Sequence, residues 1–421
     1  MESPHYKPRV LDSELDRALA SAGAILIEGA RACGKTATAL HASSSAVRLD
    51  IDPNAQQVAS LAPRSLLEGP RPRLIDEWQL APELWNHVRH AVDEARTPGQ
   101  FILTGSAVPA DDETRHTGAG RFRRIRMRPM SLHESGHSSG SVSLTALVNG
   151  ELSSVSGTAA LTVPQLIDRT VIGGWPALQE LEAELASDQI ASYLEDVARV
   201  DLVRLEGAPR RDPARIQRLF RALARSIATE AAKTTIAADI SDSGDSVRAD
   251  QVGAYLRELE RIFVVEPQPS WSTHLRSRDT VRKAPKLHFT DPSLAAAALG
   301  VGPKRLLDNL EYYGQLFESL VVRDLRVYAQ PLRGNVYHYR DSSGTEVDAI
   351  IELRDGTWAA FEVKLADTRV ADAATSLLRF RDKLDPQKTT SPTALAVITA
   401  GQFAYTLENG VHVIPISALR D

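Results

Sequence analysis

Apolar positions in the first third of this chain fall in short unbroken runs. Residues 24–27, 74–75 and 101–103 read as buried strands of a parallel sheet, and Val47-Arg48-Leu49-Asp50 as a second short strand. Helical periodicities lie between them: 11–20, capped by Asp12 or Ser13, then 36–41, then 83–96 with Leu84, Val88 and Val92 on one face. Ile125 and Met127 alternate with arginines, as on a half-buried strand. Alternating strands and helices predict an α/β fold around a parallel sheet. Further on, 163–204 is mostly helical, interrupted at Gly173-Gly174-Trp175-Pro176. Helical stretches at 216–228, 234–240 and 248–261 precede strands at 263–265 and 287–289. The last part predicts a long helix at 304–328, a strand at 336–340, and a hairpin of 345–353 with 357–365. A helix at 371–383, a strand at 394–399 and a final edge strand at 411–415 close it.

Length and composition narrow this picture. A chain of 421 residues has room for roughly two to four domains. Charged residues are 24% and apolar residues 43%, ordinary values for a globular protein. The net charge of −5 confines any nucleic-acid surface to a local patch. The single cysteine excludes an internal disulfide framework and a Cys-based zinc site. No apolar run reaches the roughly eighteen residues of a membrane span, so a soluble, cytoplasmic protein without membrane association is expected. Residues 135–158, rich in Ser and Gly, read as a linker. The expected division is 1–134, a linker at 135–160, a helical lid at 161–212, a winged-helix region at 213–300 and a C-terminal domain at 301–421.

The chemistry concentrates first at Gly29-Ala30-Arg31-Ala32-Cys33-Gly34-Lys35-Thr36-Ala37, which reads G-x-x-x-x-G-K-T after a strand and before a helix. Gly29 and Gly34 let the backbone curl so that its N–H groups line a β-phosphate, and the helix N-terminus adds its dipole. Lys35 reaches the β- and γ-phosphates, and Thr36 holds Mg²⁺ through its hydroxyl. ATP and Mg²⁺ are the expected cofactors. The strand at 73–75 ends in Asp76 and Glu77; the first fits a metal-binding acid and the second a base that polarises water. Thr104 or Ser106, at the end of another strand, could sense the γ-phosphate or simply cap a turn. Among the arginines of 115–128, Arg121 is the first candidate for a finger acting on a neighbouring subunit, which requires a homo-oligomer, and Arg115 the second. A basic edge strand is the alternative.

These motifs, with Leu74-Ile75-Asp76-Glu77-Trp78-Gln79, Gly120-Arg121, Arg128-Pro129-Met130-Ser131-Leu132-x-Glu134 and Gly173-Gly174-Trp175-Pro176, resemble prokaryotic AAA-type ATPases that carry a C-terminal domain of unassigned function. The resemblance spans nearly the whole chain. It implies an AAA-like sheet with the phosphate-loop strand near its centre, and it supplies no substrate.

Three helices followed by two strands fit a winged helix-turn-helix, with His274, Arg276, Arg278, Arg282, Lys283 and Lys286 as a basic wing. The wing could contact DNA phosphates, or the module could serve only packing. His133 and His137 are four residues apart, but no acidic or Cys partners cluster with them to make a metal site. In the C-terminal hairpin, Gly356 suits the left-handed position of a three-residue loop. Leu353 then pairs with Thr357, which sets Asp348 opposite Glu362 and Glu346 opposite Lys364. Val347, Ala349, Ile351, Leu353, Ala359, Phe361, Val363 and Leu365 form an apolar face, and the four charged residues share the other. Asp348, Glu362 and Lys364, with Glu318 on the preceding helix, are similar to the PD-(D/E)XK nuclease core. That resemblance implies metal ligation by Glu318, Asp348 and Glu362, and a water-activating Lys364. Val347 stands where that core has proline. The overall expectation is an ATPase coupled to a domain that cuts or holds nucleic acid, DNA before RNA. The alternative is an ATP-dependent switch that binds DNA or a protein partner without cleavage.

Overall fold

The buried apolar runs at the start of the chain assemble as their pattern predicts. The structure, a computed structural model, describes residues 6–106, 118–201, 212–241, 246–272 and 284–421. Arg115, His274, Arg276, Arg278, Arg282 and Lys283 lie outside the described residues. The chain divides into two compact units, the first built mainly on residues up to Pro129 and the second mainly on those from Met130 onward.

In the first unit, strands β1 (Ala24–Glu28), β2 (Ser45–Arg48), β3 (Arg73–Asp76), β4 (Phe101–Gly105) and β5 (Phe122–Arg126) form one parallel sheet in the order β2-β3-β4-β1-β5. The phosphate-loop strand β1 is interior, between β4 and the edge strand β5. Because all strands run the same way, the loops after β1, β3 and β4 open at one edge of the sheet. Helices α1 (Asp12–Leu19), α2 (Lys35–Ala42), α3 (Pro53–Leu61) and α4 (Leu84–Ala95) complete the unit. Leu84 and Val88 of α4 are fully buried, and each such side chain contributes about 1.5–3 kcal/mol. Trp85 stacks on Phe122 at 3.8 Å between ring centroids and lies 4.9 Å from Trp78. Helix α1 is not capped by Asp12 or Ser13; Leu11 stands at its N-cap. The Asp12 carboxylate turns back to accept from the Tyr6 hydroxyl and the Arg9 N–H instead.

The second unit holds a mixed seven-stranded sheet. Its strands are β7 (Gly157–Thr158), β8 (Asn335–Arg340), β9 (Glu346–Glu352), β10 (Trp358–Lys364), β11 (Leu395–Thr399), β12 (Phe403–Thr406) and β13 (His412–Pro415), in the order β7-β12-β13-β11-β10-β9-β8. The expected linker is therefore part of this fold. Its strand β6 (Val142–Ser143) pairs with β14 (Leu419–Arg420), helix α5 (Leu144–Val148) follows, and β7 pairs with β12. Its serines serve as caps and turn donors: the Ser143 hydroxyl accepts from Ala146 N–H, and the Ser138 hydroxyl donates to Leu419 O. Strand β13 is interior, between β11 and β12, not the expected edge.

Helices α6 (Val163–Ile172), α7 (Ala183–Asp196), α8 (Pro213–Arg225), α9 (Lys233–Ile240) and α10 (Ala249–Arg261) match the helical periodicities. After them, isolated antiparallel bridges join Val265 to Phe289 and Gln268 to Lys286. Helix α11 (Pro292–Leu299) follows. The expected single long helix is two, α12 (Pro303–Leu307) and α13 (Leu310–Ala329), because the Asn309 side chain caps a new start by accepting from Tyr312 N–H. Helix α14 (Val370–Lys383) packs on the sheet through Val370, Ala373, Leu377 and Phe380, against Ile350, Trp358, Ala360 and Val397. No helix among the described residues is long and apolar enough to cross a membrane.

Candidate functional site

The phosphate loop has the backbone that its glycines require. Gly34 sits at φ +108° as the N-cap of α2, and Ala32 also has positive φ, at +60°. A Cβ on Gly29 would lie 2.1 Å from Met127 O, so only glycine fits where β1 leaves the sheet. Lys35 is buried, and its Nζ donates to Gly29 O at 2.9 Å and Ala30 O at 2.8 Å. Cys33 is buried, with its Sγ 3.7 Å from Met127 O, which is a filler's place. Arg31 is exposed, whereas Ala30 is buried.

Asp76 ties three strands' loops together. It is fully buried, and its Oδ1 accepts from the Thr36 hydroxyl at 2.9 Å and from the Thr104 hydroxyl at 2.5 Å. Its Oδ2 is buried without a hydrogen-bond partner, with Arg48 Nε 3.4 Å away. A buried carboxylate beside the loop threonine, one oxygen of which makes no hydrogen bond and only an ion pair to Arg48 at 3.4 Å, supplies the hard oxygens that Mg²⁺ and its waters prefer, so these residues fit that ion. Glu77 takes a left-handed φ of +55°, and its N–H donates to the Thr104 hydroxyl. Its carboxylate accepts from the Gln79 amide and, at 3.4 Å, from the Ser106 hydroxyl. Thr104 thus fixes both acids, and Ser106 contacts Glu77 and, at 3.4 Å, accepts from the Gln79 amide. Arg121 is half-exposed and donates to Asp93 at 2.9 Å; that ion pair depresses the Asp93 carboxyl.

Sequence reading missed two arginines here. Arg9 is buried, and its guanidinium spans Cys33 O at 2.9 Å and Arg128 O at 2.8 Å, bracing the loop from behind. Arg48 ends β2, the neighbour of β3, and that adjacency was the one signal pointing toward Asp76.

In the second unit the hairpin register is as expected. Leu353 N–H donates to Thr357 O, Gly356 has φ +86°, and Phe361 stands opposite Ala349, which sets Asp348 against Glu362. The face they share is buried around Asp348 and Glu362, while Glu346 and Lys364 at its end stay part-exposed. Ile350 and Ala360 lie on it, fully buried, and Asp348 and Glu362 are themselves buried. Asp348 Oδ2 accepts from Val363 N–H at 2.9 Å and Lys364 Nζ at 3.3 Å, while Glu362 accepts from Lys364 at 2.7 Å. Lys286, assigned to a DNA-contacting wing, instead points inward to Glu318 at 2.7 Å, Glu346 at 3.1 Å and Asp348 at 3.3 Å. Burial and the Asp348 charge push Glu318 up to about 8, whereas Lys286 and Lys364 hold Asp348 down, to about 2, against its own burial. Among the described residues no group of three His, Cys, Asp or Glu is arranged to hold a metal ion.

The remaining motifs of the AAA-type resemblance also meet. Arg323 pairs with Asp291 at 2.8 Å and Asp324 at 2.7 Å, all three buried. Asp324 accepts from Leu132 N–H, Asp291 from Gly174 N–H, and Ser293 from the Trp175 indole. A Cβ on Gly173, at φ +70°, would lie 2.4 Å from Ser293 Oγ, which explains the glycine.

Residues 21–136 match the family model of the AAA domain. Residues 163–305 and 313–419 match two further families, each described as a domain of unknown function, DUF8612 and DUF4143. The uncharacterized proteins Rv2008c of Mycobacterium tuberculosis and Mb2031c of Mycobacterium bovis are each 25% identical over 409 residues, 96% of this chain and 82% of theirs. Among solved structures, the Walker-type ATPase PABY2304 of Pyrococcus abyssi is similar over 70% of this chain and 96% of its own, at 16% identity and a TM-score of 0.43. A DNA replication initiation factor is similar over 60% of this chain and 87% of its own, at 13% identity and a TM-score of 0.23. With the loop geometry, the AAA match makes the first unit a P-loop ATPase domain of AAA type.

Proposed function

We propose that this chain is a Mg²⁺-dependent ATPase whose nucleotide state switches the second unit's hold on a partner, without cleaving it. The observation that carries the ATPase half is Asp76, buried, with one oxygen accepting from the Thr36 and Thr104 hydroxyls and the other paired only with Arg48. In this reading the N–H groups of 29–36 line the β-phosphate, and Lys35 leaves its two loop carbonyls for the β- and γ-phosphates. Thr36 and Asp76 hold Mg²⁺, which neutralises phosphate charge when bound. Glu77 orients the attacking water once its carboxylate leaves Gln79 and Ser106, and Thr104 positions both acids. Arg121 serves as the finger of a homo-oligomer after release from Asp93.

Duplex DNA is the partner to test first. Helices α8 to α10, followed by the paired segments around Val265–Phe289 and Gln268–Lys286, have the element order of a winged helix-turn-helix. DNA affinity would be compared for the nucleotide-free, ATP-bound and ADP-bound protein at several salt concentrations. A nucleotide-dependent affinity that falls steeply with salt is expected. Affinity indifferent to nucleotide would remove DNA as the switched partner and leave a protein in that place.

A further inference from the structure

The carboxylate cluster of the second unit has the residue types of a nuclease centre, but its cation position is already taken. Lys286 is held by its backbone, which exchanges both N–H···O bonds with Gln268 at 2.8 and 3.0 Å. Its side chain is only 4% exposed and ends 2.7, 3.1 and 3.3 Å from Glu318, Glu346 and Asp348. The other Asp348 oxygen is used by Val363 N–H and Lys364, and Lys364 also neutralises Glu362. Gln268 fixes the floor by donating its amide to Asp348 O and Tyr337 O.

A divalent cation bridging Glu318 and Asp348 needs oxygens at about 2.0–2.1 Å for Mg²⁺. It would have to occupy the point where the ammonium sits. Expelling Lys286 would strand a buried positive charge, because its stem and backbone are fixed, and stranded buried charges are strongly unfavourable. The metal that the nuclease resemblance implies therefore does not fit these residues.

We propose that Lys286 is a built-in replacement for the divalent cation. The Glu318–Glu346–Asp348–Glu362 cluster is an ion network, filled by Lys286 and Lys364, that takes no metal and supports no metal-dependent phosphodiester cleavage. This stands independently of ATP turnover in the first unit.

The test is Mn²⁺ titration of the nucleotide-free full-length protein, read by electron paramagnetic resonance. Wild type, Asp348→Asn, Lys286→Met and the Lys286→Met/Asp348→Asn double variant are compared, so that Mn²⁺ held elsewhere cancels. Wild type and Asp348→Asn should titrate identically. Lys286→Met should gain one site at least tenfold tighter than any in wild type, and Asp348→Asn should remove it again. A wild-type site lost in Asp348→Asn would overturn the proposal, as would a folded Lys286→Met that gains none. If Lys286→Met does not fold, thermal unfolding of wild type with and without Mn²⁺ decides. No shift beyond that of Asp348→Asn supports the proposal, and a shift that Asp348→Asn abolishes refutes it.

Discussion

Arg9→Ala should weaken nucleotide binding although Arg9 belongs to none of the phosphate-binding motifs. The substitution removes a buried guanidinium that donates to Cys33 O at 2.9 Å and Arg128 O at 2.8 Å. Bonds from a charged donor are worth about 1.5–3 kcal/mol each. The one to Cys33 acts on the residue before Gly34, where the loop turns into α2. Loss of that one bond, felt by the loop, lowers ATP affinity by about ten- to a hundredfold. The assay is equilibrium titration with a fluorescent ATP analogue and Mg²⁺, with thermal unfolding read on the same samples. Arg9→Lys should fall between, since an ammonium lacks the planar fork that spans two carbonyls. A folded Arg9→Ala protein that binds within about twofold of wild type would refute the bracing role.

Three further outcomes are expected. Glu77→Gln should keep ATP binding and lose roughly a hundredfold or more in turnover; wild-type turnover would remove Glu77 as the base. Arg323→Met leaves Asp291 and Asp324 buried and unpaired, at a cost of about 3–5 kcal/mol. Its thermal midpoint should drop by roughly 5–8 °C for a unit as large as the second, and an unchanged midpoint would mean that the triad holds nothing. His288 is buried between Ser319 and Gln268, and burial followed by the Arg326 charge keeps its pKa well below the ordinary value. The unfolded chain therefore binds a proton below about pH 6.5 that the folded chain refuses, and stability falls as pH drops through that value. Denaturant unfolding of wild type against His288→Gln should show the wild-type advantage shrinking between about pH 7.5 and 5.5, by up to about 1.4 kcal/mol per unit. A pH-independent difference would contradict this.

Local signals were the legible ones. The phosphate loop, the acid pair after β3 and the turn at Gly356 each lie within a few residues, and the hairpin register followed from that turn alone. What stayed hidden depends on long-range approach. Arg9 reaches carbonyls 24 and 119 residues away, and Lys286 enters the Asp348 cluster from 62 residues upstream. Composition misled at 135–160, because Ser and Gly suit linkers but equally suit tight turns and caps between short paired strands. The break at Asn309 was missed because the apolar period continues across it; only the cap marks the new helix.

The most direct measurement is steady-state ATP hydrolysis by full-length wild type and Lys35→Ala, each with Mg²⁺ and with a chelator. Turnover by wild type with Mg²⁺, abolished both by chelation and by Lys35→Ala, is the expected result. Equal turnover in Lys35→Ala, or a wild-type protein that binds ATP and never hydrolyses it, would contradict the ATPase switch.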